Sequence, residues 1–120
     1  MPYESITEDL THTPGVINAL LLSGDGGPLS YSNGVSDDTA GLMAAALSAI
    51  QATSRHVAAL CHTRSSTWDQ SVIQFGDRCL YLFAAGEDTY LAVAAIKKAD
   101  PTLVTHNAKH AVIKLRGHNS

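Results

Sequence analysis

Six histidines, His12, His56, His62, His106, His110 and His118, are the side chains best suited to hold a metal or move a proton near neutral pH. His106 and His110 stand at i, i+4 and can share one face of a helix. Zinc would need two further ligands, and neither CxxC nor HExxH accompanies the pair. The pair also lies off the apolar arc of its segment, as solvated histidines do, so no metal is expected. Cys61 and His62 adjoin in sequence, but consecutive helical side chains diverge by about 100° and do not converge on one ion. Cys61 falls on an apolar arc, and Cys79 opens a strand. Both are expected to pack as small hydrophobes.

The run Ser23-Gly24-Asp25-Gly26-Gly27-Pro28 is glycine-rich, yet no Gly-Lys-Ser or Gly-Lys-Thr follows to open a helix. The third glycine of GxGxxG is missing too. A tight hairpin turn accounts for the run, and no nucleotide or other cofactor is expected. Asp25, Glu87 and Asp88 all sit at turns, whereas carboxylates for acid–base work converge in a protected cleft. Ser23 lies outside any GxSxG elbow. No catalytic residue is expected. Trp68 and Tyr90 begin strands. Tyr90 reads as a core plug; Trp68, followed by Asp69, Gln70 and Ser71, suits an edge strand or an interface anchor.

The elements that would carry these residues follow from periodicity and turn chemistry. Residues 3–12 predict a short helix, with Ile6 and Leu10 one turn apart, ended by Thr13-Pro14-Gly15. Val16 to Ser23 (VINALLLS) predicts a buried strand, and Leu29 to Ser32 its return. Asn33-Gly34 is a second turn. Ser36 or Asp37 caps a proline-free helix predicted from Asp37 to about Cys61. His62 to Thr67 is a predicted loop. Trp68 to Phe75, Cys79 to Ala85 and Tyr90 to Ile96 follow at hairpin spacing and predict an antiparallel meander. Asp100-Pro101 opens a last helix to about Leu115, on which Leu103, Asn107, Ala111, Val112 and Leu115 face roughly one way, and Arg116 to Ser120 should fray. The expected fold is α+β, in the order αββαβββα: a five-stranded antiparallel sheet with a long central helix on one face.

The 120 residues suit a single domain able to bury roughly two-thirds of its unfolded surface without disulfide or metal staples. Eight Lys and Arg against eleven Asp and Glu leave a formal net charge of −3. That balance lacks the positive field of a phosphate-binding surface, so nucleic acid is not an expected partner. The longest apolar stretches are far short of a membrane span. Glu4, Glu8 and Asp9 leave no basic n-region or apolar h-region at the N-terminus, and a cytoplasmic location is expected.

The central helix has two contrasting sides. Leu42, Ala46, Ala49, Ile50, Val57, Leu60 and Cys61 share an arc that reads as the core face. Opposite lie Gly41, Ala45, Ser48, Ala52 and Ala59, with Arg55 the one long charged chain on that side. Such small residues either admit the helix of another chain or form a weakly polar exposed face.

Three segments resemble the Roadblock and dynein light-chain family. PGVINALLLSGDGGPL (14–29) is similar to its opening hairpin, DDTAGLMAAALSAI (37–50) to its central helix, and SVIQFGDRCLYLFAAGEDTYLAVAA (71–95) to its meander. The likeness covers roughly residues 14–96, and it is nearest to the stand-alone bacterial type encoded beside a Ras-like GTPase and a sensor kinase in actinobacterial operons. The resemblance implies a profilin-like fold and a homodimer or heterodimer in which central helices pair and third strands join two sheets. Mapped here, the helix contact is Gly41, Ala45, Ser48 and Ala52. The strand contact is about Trp68 to Gln74, with Trp68, Gln70 and Val72 as its leading residues. It also implies a non-enzymatic regulator or scaffold for a small Ras-like GTPase. Arg55, Arg64 and Arg78 would then not be catalytic fingers. The first helix is short for the family, and the tail after Ala99 matches no motif of it.

Two other readings stand beside this one. A small-molecule sensory domain of profilin-like architecture would need an apolar pocket carrying a few polar groups. A metal-dependent or hydrolytic enzyme would need a stoichiometric ion or a converging set of catalytic groups.

Overall fold

The computed structural model describes residues 2–61, 63 and 68–118, with the side chains of 2–4 and 116–118 left out. The elements are α1 (Pro2–Leu10), β1 (Val16–Ser23), β2 (Pro28–Tyr31), α2 (Asp37–Ser54), a 3-10 helix (Arg55–Cys61), β3 (Gln70–Phe75), β4 (Arg78–Gly86), β5 (Thr89–Ile96) and α3 (Pro101–His118). All strands pair antiparallel in the order β2-β1-β5-β4-β3. The expected order and sheet are therefore present. The predicted loop His62 to Thr67 lies outside the described residues apart from Thr63, and so does the end of the predicted frayed tail.

Period-two alternation sends the strand side chains into two cores. Leu21, Tyr81, Phe83, Leu91 and Val93 face α1 and α3, where they meet Ile6, Leu10, Val104, Ala108 and Leu115. Leu20, Leu22, Leu82, Tyr90 and Ala92 face α2, where they meet Ala40, Ala44 and Leu47. Helices on both faces explain why β1 reads as an apolar run rather than an alternation.

Polar bonds fix the layers. Asp100 Oδ1 accepts from the Thr102 N–H at 3.0 Å, capping α3 ahead of Pro101. Buried Thr7 and Ser30 join their hydroxyls at 2.8 Å, and Glu8 Oε2 accepts from the Asn33 N–H at 2.8 Å, so α1 is tied to β2 and the turn after it. Gly15 has φ +89, and a Cβ there would lie 2.5 Å from Ala99 Cβ. Glycine is required where α1's exit meets the turn before α3.

Three expectations are corrected. The α2 residues that face the sheet are Ala40, Ala44, Leu47 and Gln51. Of the arc read as core, Ile50 packs against the core, but the rest points outward, with Leu42 69%, Val57 61% and Leu60 84% exposed. The sheet face beneath is already filled by Leu20, Leu22 and Tyr90, so alanines let the helix settle closely and the larger side chains turn away. Cys61, expected in the core, is exposed in the 3-10 helix that continues α2. In α3 the buried stripe is Val104, Ala108, Ala111, Val112 and Leu115, while Leu103 sits outward at 36% exposure and Asn107 is half-buried. Cys79 is partly buried and packs on the core beneath α3 as expected.

Candidate functional site

The surface with the most to explain is the outer side of α2. Ser36 starts the helix with extended geometry (φ −78, ψ 159), and its hydroxyl accepts from the Thr39 N–H at 3.2 Å. Asp37 and Asp38 follow at the positive end of the helix dipole. From Thr39 to Ser54 there is no charged residue. The outward side therefore presents Leu42, Met43, Ala45, Ala46, Ala49 and Ala52, all exposed. This outward apolar stretch of α2 is the kind of exposed surface that marks an interaction face.

Beside this helix lies an open groove of about 410 Å³. Met43, Ala46 and Ile50 form its α2 wall, Leu20 and Ala92 its floor, and Phe75 its far side. Phe75 is 61% exposed. Asn18 and Thr39 supply the polar groups along it. The groove exists because α2 crosses the β1–β2 side of the sheet, leaving the same face of β3 bare at Phe75.

The two sheet edges differ. Edge strand β2 is four residues long and begins with Pro28, which has no N–H to offer. Edge strand β3 runs six residues with neither proline nor lysine. The Ala84 N–H donates to the Asp69 carbonyl at 3.0 Å. In the β3–β4 register this turns the backbone groups of Gln70, Val72 and Gln74 away from β4, toward open space.

Each residue proposed from sequence now has a place. Gly41 and Ser48 are half-buried, whereas Ala45 and Ala52 are exposed. Ser48 Oγ donates to the Gly24 carbonyl at 2.6 Å. A Cβ on Gly26, whose φ is +94, would lie 3.4 Å from Ala45 Cα. One flank of the small-residue stripe thus receives the β1–β2 turn of its own chain, while a Cβ on Gly41 would meet no described atom within 4 Å. Gln70 and Val72 lie on the open edge and are exposed. Trp68 precedes β3 and packs edge-to-face on Tyr90 at 5.7 Å between ring centres, its Nε1–H donating to Ser71 Oγ at 2.9 Å. Tyr90 is buried, and its hydroxyl accepts from Arg55 Nη2 at 3.1 Å. Leu42, Ala46 and Ala49 belong to the arc that periodicity reads as core. The signal that places them outside is the charge-free run that surrounds them.

The groups suited to chemistry do not converge among the described residues. His106 and His110 are exposed on α3. Among the described residues no three His, Cys, Asp or Glu side chains gather to hold a metal ion. Asp25 is bonded to Ser23 Oγ within its turn, and that bond holds its carboxyl below its ordinary value of 3.8. His62, His118 and Arg64 lie outside the described side chains.

The Roadblock/LC7 domain family matches residues 2–95, and the chain belongs to that family. It is a family of regulatory and scaffold domains. A Roadblock/LC7 domain from Streptomyces avermitilis shares 26% identity at TM-score 0.86, over 96% of this chain and 95% of that one. Myxococcus xanthus MglB shares the fold at 17% identity and TM-score 0.82, over 94% and 90%. Profilin II of Acanthamoeba castellanii shares it at 14% identity and TM-score 0.68, over 98% and 99%. No functionally curated protein matches the chain in sequence. No helix among the described residues is long and apolar enough to cross a membrane.

Proposed function

We propose that this chain is a non-enzymatic, cytoplasmic regulator or scaffold that acts as a homodimer and binds a small Ras-like GTPase. The observation that carries the reading is the α2 helix, apolar on its outer side as well as its inner one. A second copy supplies the missing cover. Two α2 helices cross through Ala45, Ala52 and Leu42, with Gly41 and Ser48 at the margin, and each fills the groove that ends at Phe75. The open edges of β3 then meet through Gln70, Val72 and Gln74, with Trp68 bracing the start of each strand. Pairing would give the outward N–H and C=O groups of β3 partners and remove an edge otherwise prone to aggregation. A related structure of MglB, 22% identical, is described with a tetrameric arrangement, so self-assembly occurs on this fold. Family membership and the similarity to MglB support a small GTPase as the partner, and the resemblance to the operon-encoded type extends the proposal to a sensor kinase acting with it.

Light scattering across a concentration series tests the dimer, and a monomer at tens of micromolar would overturn it. Pull-downs from lysates loaded with GDP or a non-hydrolysable GTP analogue test the partner. A small GTPase enriched in one nucleotide state supports the reading. A folded, dimeric bait that captures none removes the GTPase from it. The apolar groove favours one alternative, a sensor for a small apolar molecule, which a ligand-dependent rise in melting temperature of the dimer would support.

A further inference from the structure

A second surface lies on the opposite face of the sheet. Between α3 and the β3 edge runs a groove of about 560 Å³, with Phe83 and Ala84 of β4 in its floor and Val112 and Ile113 of α3 along one wall. Ile113 is 64% exposed. Val72 and Gln70 pair with Tyr81 and Phe83, so they share this face, and Val72 adds a second exposed apolar side chain, at 53%. Lys109 lines the α3 side and Asp69 the far rim.

Charge is segregated onto this part of the chain. Residues 97–120 contain Lys97, Lys98, Lys109, Lys114 and Arg116 against Asp100 alone, whereas residues 1–96 contain three cations and ten acids. No acid occurs anywhere in α3, from Pro101 to His118. Among the described residues the one salt bridge joins Arg78 to Asp77, so Lys109 is unpaired there. An apolar trough beside an unpaired lysine, on the most basic element of an acidic protein, is complementary to an acidic chain carrying a large apolar side chain.

We propose that the α3–β3 groove docks an acidic amphipathic segment of a partner protein. Its apolar anchor sits against Ile113, Val112 and Phe83, and a carboxylate meets Lys109. Asp69 at the far rim repels acids there and orients the segment. The surface lies on the face of the sheet away from α2, so docking leaves the helix contact free, and it borders the proposed strand seam at Gln70 and Val72. A membrane is disfavoured because the apolar floor is recessed and Asp69 borders it. Nucleic acid is disfavoured by the net charge of −3.

A phage-displayed library of random 16-residue peptides, selected on the full chain, tests this. Recovered peptides should combine Asp or Glu with Leu, Ile, Met, Phe or Trp. Synthesised and measured by fluorescence anisotropy, they should lose at least about tenfold in affinity to K109E and to I113D, and keep it with K109R. Both positions are exposed, so the urea midpoint should be unchanged and serves as the folding control. Amide shifts on binding should cluster at Gln70, Phe83, Lys109 and Ile113. Recovery of no peptide, or of basic or uncharged ones, would overturn the proposal. So would affinities indifferent to both variants, or shifts that fall on α2. Sedimentation with phosphatidylserine–phosphatidylcholine vesicles is the other arm. Pelleting that depends on Lys109 without recovery of acidic peptides would assign the surface to a membrane instead.

Discussion

Replacing Leu42 with glutamine separates the stability of one chain from the association of two. Leu42 is 69% exposed on the outer side of α2. Glutamine is nearly as good a helix former, so the folded chain by itself should change by no more than about 0.5 kcal/mol. Burying a whole leucine side chain contributes about 1.5–3 kcal/mol, so covering the exposed part contributes about 1–2 kcal/mol in each chain. Two copies of the change then cost a symmetric dimer about 2–4 kcal/mol, which weakens its dissociation constant about 30- to 700-fold. Sedimentation equilibrium of the wild type and L42Q, over nanomolar to high micromolar concentrations, reads this directly. Circular dichroism melts at the most dilute point read the single chain. An L42Q dimer as tight as the wild type would refute the assignment of this face to the dimer. A large loss of stability in the dilute L42Q sample would show that Leu42 belongs to the core after all.

Gly15→Ala should destabilise the fold by about 1–3 kcal/mol in a urea titration, because alanine must hold a positive φ with its methyl driven toward Ala99. Gln51→Leu should be neutral or stabilising by up to about 2 kcal/mol in the same assay, since Gln51 Oε1 is buried with no hydrogen-bond partner among the described residues. A clear loss would mean that the amide is satisfied in the folded protein. For Asp25 the pH sign is fixed by its lowered folded value, caused first by the Ser23 hydrogen bond. The stability it lends is present above its ordinary value and is lost as pH falls through the folded one. Asp25→Asn should therefore shrink the drop in melting temperature below the ordinary carboxylate value, and an unchanged acid limb would contradict it.

The strands were legible because their signals are local. Val16 to Ser23 is bounded by Gly15 and Gly24, and the observed β1 has those limits. The meander follows from turn residues at hairpin spacing; the observed β4 extends a residue past expectation at each end, β5 begins one residue early and β3 two residues late. The capped starts of α2 and α3 were equally plain, because Ser36 and Asp100 act on amides two or three residues away. The orientation of α2 was not legible. Both of its sides are apolar, so periodicity offers two core faces and size favours the wrong one. Contact with Leu20, Leu22 and Tyr90 selects the alanine stripe, and those residues lie far from α2 in the chain or beyond it.

The candidate surfaces divide in the same way. The small residues Gly41, Ala45, Ser48 and Ala52 stand out in sequence, but that the β1–β2 turn of the same chain takes up Ser48 and approaches Ala45 depends on how the hairpin folds over α2. An edge strand at Trp68 to Phe75 was suggested by its polar start; that β3 is the open edge and β2 the blunted one depends on strand order. The groove between α3 and β3 joins Asp69 to Ile113 and has no sequence signal, since its walls meet only when the meander and the last helix pack. Elements, caps and turns were determined by the sequence itself, because their interactions span a few residues. Which face of each helix is buried, which edge is open and which distant side chains share a groove were decided by the tertiary structure. There, packing against already occupied surfaces outweighs local hydrophobicity.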